Sequence, residues 1–102
     1  MRLERWDPAR DGALGEAALR AKLERRGYAV SRWVYAPGTR FEPHTHDVDK
    51  LDAVVSGRLR MTLPDGEVVL GAGDVLAVPG GTLHAAEVVG EESVVSLDAT
   101  RI

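Results

Sequence analysis

The sequence predicts an all-β fold, a sandwich or barrel of about seven or eight short strands preceded by one short helix. Three observations predict it. Short apolar runs recur along most of the chain. Gly- and Pro-rich breaks separate those runs at regular spacing. A single stretch near the N-terminus has helix-forming composition throughout.

The element order follows the chain. Residues 1–12 are polar and carry the breakers Asp7-Pro8 and Asp11-Gly12. Leu14 to Arg26 has no β-branched residue and is rich in Ala, Leu, Glu and Arg, all good helix formers. Glu16 and Arg20 have the i,i+4 order of a favourable ion pair, and Gly27 follows Arg25 and Arg26 as a stop. From Tyr28 the pattern alternates, with Val30, Arg32 and Val34 interleaved with Ser31, Trp33 and Tyr35 before Ala36-Pro37-Gly38. Further strands are expected at Phe41–His46, Leu51–Val55, Arg58–Leu63, Val68–Leu70, Val75–Val78, Leu83–Val89 and Val94–Leu97. Pro64-Asp65-Gly66 between two apolar runs signals a hairpin. Arg58 and Arg60 alternate with Leu59 and Met61, as on a strand with one wet face. These elements divide the chain into an N-terminal arm and short helix, residues 1–27, and a barrel, residues 28–102, within one compact domain.

Composition sets bounds on function. A chain of 102 residues and 11.0 kDa is one domain, with 44% hydrophobic and 28% charged residues in an ordinary globular balance. Thirteen basic against 16 acidic residues leave a net charge of −3, which argues against nucleic acid as the main partner. No apolar run approaches the ~18–20 residues that cross a bilayer, and the charged start lacks a signal peptide's apolar stretch, so a soluble cytoplasmic protein is expected. Zero cysteines exclude disulfides, thiolate metal sites and thiol nucleophiles. Asn and Gln are absent as well. That pattern is reported for proteins of hot environments, and a biased genomic base composition gives it too.

The chemistry concentrates in three histidines. His44 and His46 form an H-x-H pair whose side chains share one face of a strand, the simplest way to offer two nitrogens to one metal. His84 follows a Gly/Pro-rich turn and is expected across the barrel interior. Three neutral imidazoles there make a facial set with open coordination positions. Two histidines on one strand are also common without any metal, so the surrounding glycines and prolines carry weight.

The stretch Gly38-Thr39-Arg40-Phe41-Glu42-Pro43-His44-Thr45-His46 through Lys50, followed by Gly57, resembles the first cupin motif. Gly73-Asp74-Val75-Leu76-Ala77-Val78-Pro79-Gly80-Gly81-Thr82-Leu83-His84 is similar to the second. The resemblance implies a small single-domain cupin, a double-stranded β-helix or jelly-roll barrel. It further implies a divalent transition metal (Zn, Ni, Fe, Cu or Mn) on His44, His46 and His84, a small-molecule ligand and a homodimer. Residues 1–12 are then available to add a strand or arm to the partner.

Two positions depart from the motifs. The closing Asn of the second falls on Val88. The family's ligand Glu falls on Lys50 or, at the longer spacing, on Leu51. An ammonium supplies no ligand and repels a cation. Three readings follow. The histidines bind metal alone, with Lys50 paired to an acid such as Asp52, which is also a replacement ligand candidate ahead of Asp47, Asp49 and Glu42. Alternatively the site is a metal-free binding or sensor module, with Lys50 and the imidazoles holding an anionic or sugar-like ligand. In the third, a desolvated Lys50 of lowered pKa acts as nucleophile or base. A Lys50–Asp52 salt bridge closing an inert barrel is the plain alternative to all three. Trp33, Tyr35 and Phe41 are candidates for a pocket mouth, and Met61 for its interior.

Overall fold

The computed structural model describes all residues 1–102. Strands β1 (Arg2–Glu4), β7 (Val75–Val78), β4 (Lys50–Ser56), β9 (Val94–Arg101) and β2 (Tyr28–Tyr35) form one antiparallel sheet in that order. A second antiparallel sheet has the order β3 (Arg40–His44), β8 (His84–Val88), β5 (Leu59–Leu63), β6 (Gly66–Leu70). The helices α1 (Pro8–Asp11) and α2 (Glu16–Arg25) precede β2. No helix is long and apolar enough to cross a membrane. The expected all-β architecture with one substantial helix is present.

The central strands β4, β7 and β9 of the five-stranded sheet are buried on both faces, and strand alternation assigns each residue to one of them. Leu51 and Ala53 of β4, Val75 of β7, and Leu97 and Ala99 of β9 pack against Leu19 and Leu23 of α2. Those two leucines are one helical turn apart and wholly buried. The alternate residues Val54, Leu76 and Val78 face the second sheet. There they join Leu59, Met61, Leu63, Leu70 and Val88 in the inter-sheet core. Lys50 and Asp52 share the parity of Val54 and therefore point between the sheets. Asp98 does too, since it is the register partner of Asp52.

Several expectations change in detail. The predicted Glu16–Arg20 pair does not form. Glu16 binds Arg32 Nε at 2.9 Å and Arg20 donates to the Val30 carbonyl at 3.0 Å, so both side chains tie the helix to β2 instead of bracing each other. The strand expected over Phe41–His46 ends at His44 with an irregularity after Phe41, where Pro43 has no N–H to give the ladder. The last strand runs to Arg101 rather than Leu97, because it is sandwiched between β4 and β2. The N-terminal segment pairs within its own chain, Leu3 opposite Leu76, as an edge strand of the five-stranded sheet.

That arm is fastened by charge. Lys22, buried on α2, contacts Glu4 at 3.0 Å and Asp11 at 3.1 Å, and its ammonium lies 5.1 Å from the Trp6 ring centre. Arg26 adds a 2.7 Å hydrogen bond to Glu4. The hairpin at Pro64-Asp65 pairs Leu63 with Gly66 as expected. Gly57 is required where it stands. Its φ is +81°, and a Cβ there would lie 2.4 Å from the Ser93 carbonyl oxygen.

Candidate metal centre

His44 ends β3 and His84 opens β8, and the two are direct register partners on neighbouring strands. His84 is therefore beside His44 rather than across the interior. His46, two residues past the end of β3, completes the group. The candidate ligand nitrogens of the three lie within 4.8 Å of one another, with ring centres 4.3–5.2 Å apart.

Two hydrogen bonds fix how the rings face. His44 Nδ1 lies 2.6 Å from the Glu42 carbonyl and His84 Nδ1 lies 2.8 Å from the Thr82 carbonyl. A carbonyl oxygen only accepts, so each Nδ1 carries a proton, and in the neutral ring it is Nε2 that has the lone pair for a metal. His46 Nε2 is buried with no hydrogen-bond partner. Burial lowers the pKa of both His46 and His84, with Lys50 and the neighbouring histidines adding to it, against the Thr82 bond in the case of His84. Neutral imidazoles are the form that ligates.

The loop before His84 is tied to the segment after His46. The Gly81 N–H donates to the His46 carbonyl and the Gly80 N–H to Asp49 Oδ1, each at 2.8 Å. Asp49, a candidate ligand from sequence, thus braces the turn, while Glu42 and Asp47 are exposed.

All three histidines line one cavity of about 200 Å³ with Tyr35, Phe41, Lys50, Asp52, Met61, Ser96 and Asp98. Tyr35 and Phe41 meet edge to face there, whereas Trp33 is 53% exposed and takes no part. Lys50 and Asp52 lie where the sequence placed them, 3.6 Å apart. The closer partner of Lys50 is Asp98, with Nζ 2.8 Å from Oδ1. Sequence reasoning missed Asp98, and the signal available was its parity with Ser96 on a strand longer than expected.

Electrostatics corrects the reading of Lys50 as a base. Burial pulls its pKa down, but Asp52 and Asp98 more than offset that, and it is held above its ordinary value as a cation. Burial raises the Asp52 carboxyl to about 7, against the pull of Lys50 and with the help of Asp98. Tyr35 is raised to about 12, by burial first and then by the two acids.

Comparison with known proteins matches residues 31–100 to the family described as Cupin domain. A cupin superfamily protein from Desulfitobacterium hafniense is 27% identical, with a TM-score of 0.64 over 74% of this chain and 67% of that one. A double-stranded β-helix protein from Klebsiella pneumoniae gives 25% identity and a TM-score of 0.64, over 74% and 67% of the two chains. A variant of Bacillus subtilis oxalate decarboxylase is 30% identical with a TM-score of 0.66, over 74% of this chain but 22% of that one. The chain spans about two thirds or less of the length of these structures. Comparison with curated proteins finds no match.

Proposed function

The chain belongs to the cupin family, and from that premise we propose that it is a metal-binding barrel acting on or sensing a small molecule. His44, His46 and His84 hold one divalent first-row ion (Zn, Ni, Fe, Cu or Mn). The observation that carries this reading is the set of three imidazoles within 4.8 Å. Two of them are fixed by Nδ1–H donation, and the third has an orphaned buried Nε2. A bound ion would supply Lewis acidity to a substrate oxygen or lower the pKa of a water.

The chain's own residues do the rest. Lys50 stays protonated and paired, so it does not stand in for the Glu that the family motif has at this position, and the ligand set is nitrogen only. Tyr35 keeps its phenolic proton as a donor. Phe41, Leu59, Met61 and Ala86 give the cavity its apolar lining. Among the solved relatives is an oxalate decarboxylase, but this chain covers too little of it for the substrate to carry over.

Elemental analysis of untagged protein tests the proposal, as isolated and after loading with Fe, Mn, Ni, Cu and Zn and washing. The expected result is near one metal per chain, lost in His84→Ala while the circular dichroism stays unchanged. A ratio near zero under every condition overturns it. The working unit is taken as a homodimer, and a sedimentation mass of 11.0 kDa would overturn that part.

A further inference from the structure

The cavity wall formed by β4 and β9 carries Lys50, Asp52 and Asp98, all directed between the sheets. Two carboxyls face one ammonium. With Asp52 ionised the group carries one net negative charge, and with Asp52 protonated it is neutral, so in neither state is it positive. The cation at the position where the family motif has Glu is therefore already spent on its neighbours.

One buried hydrogen-bond acceptor in this wall, Asp98 Oδ1, is left over. Asp52 is 8% exposed, and its ion pair with Lys50 is long, at 3.6 Å. Asp98 Oδ1 is occluded from solvent, and its contact with Lys50 is ionic, without a directed hydrogen bond. Buried acceptors without donors carry a desolvation penalty that an incoming O–H or N–H relieves. The rest of the lining (Phe41, Leu59, Met61, Ala86) suits a carbon skeleton. At about 200 Å³ the space is below the ~300–1,000 Å³ of sites for drug-sized ligands, which limits the occupant to a few heavy atoms.

We infer that the cavity selects a small neutral or cationic molecule bearing a hydroxyl or amine, which donates to Asp52 and Asp98, and that it rejects small anions. This rests on reading the cavity as the ligand site, and the rejection of anions is a property of the wall with the histidines free of metal.

The test uses three two-carbon probes of nearly one shape, namely ethylene glycol, ethanolamine and glycolate. Each is titrated into EDTA-treated and metal-loaded protein and followed by backbone amide shifts. In the EDTA-treated protein, ethylene glycol or ethanolamine is expected to move the Asp52 and Asp98 signals, and glycolate is not. Which of the two binds more tightly tells whether the ligand is neutral or cationic. Asp52→Asn is expected to weaken the better probe about tenfold, with Asp98→Asn as an independent second variant. The inference is overturned if glycolate binds the EDTA-treated protein and Lys50→Met abolishes that binding. It is equally overturned if no probe moves those signals, or if both Asn variants bind as the wild type does. A metal ratio near zero sinks the proposed metal centre and leaves this comparison standing.

Discussion

Asp52 is a carboxyl whose burial works against its own charge, and the consequence is a specific pH response. Its folded pKa of about 7 lies above the unfolded value near 3.8, so the native state binds more protons between the two. Its contribution to stability is therefore fully present below about pH 4 and is lost as pH rises through 7. Asp52→Asn is expected to be more stable than the wild type at pH 7 and to flatten that slope, which urea unfolding at pH 5 and pH 8 measures. Lys50 has the opposite sign of effect. Removing it as Lys50→Met leaves two carboxyls facing each other in a closed space, costing toward the lower end of about 3–5 kcal/mol because Asp98 keeps some solvent contact. The Lys50→Met, Asp52→Asn double variant is expected to recover part of that loss, since the two residues share partners and their effects do not add. A sum of single effects equal to the double would refute the coupling.

At the scale of elements, α2 and the loop before His84 show what holds the site without touching it. Leu23 is wholly buried where the helix meets Leu51, Ala53 and Leu97, and Leu23→Ala is expected to cost about 2–5 kcal/mol in denaturant unfolding. Asp49 holds the Gly80 N–H, and Asp49→Ala is expected to weaken metal binding about tenfold in a competition titration while thermal stability barely moves. Much of this was legible in the chain. Helix-forming composition located α2, the Pro64-Asp65-Gly66 signal located the β5–β6 hairpin, and glycine, proline and histidine spacing located the three histidines. What escaped has physical causes. Side chains at i and i+4 can bond elsewhere, as Glu16 and Arg20 do with β2. Pro43 disturbed a strand that the His44-Thr45-His46 alternation had extended to His46. The partners of β9 extended it past the point where its own residues ceased to look apolar, and with that extension came Asp98.

On the scale of the whole molecule, the N-terminal arm and the barrel are joined by an ion cluster that acid should loosen. Arg26 and Lys22, against a smaller opposing effect of burial, hold the Glu4 carboxyl at about 2 instead of its ordinary 4.5. That stabilisation is complete above the unfolded value and fades as pH falls from 4.5 toward 2. Glu4→Gln is expected to flatten this acid limb, and a wild-type urea midpoint unchanged between pH 5 and pH 3 would show the cluster to be idle. The histidine triad was readable because its ligands are chemically rare letters at fixed spacing, whereas the charge balance of the cavity depended on register between distant strands, which no local pattern encodes. The doubly covered sheet has a consequence for how such a protein changes over generations. Along β4 the residues that hold the helix, Leu51 and Ala53, alternate with those that give the cavity its character, Lys50 and Asp52. Substitutions at 50, 52 and 98 can therefore explore new specificities while 51, 53, 97 and 99 keep the architecture intact. An insertion or deletion of a single residue in this strand exchanges the two roles and forfeits both.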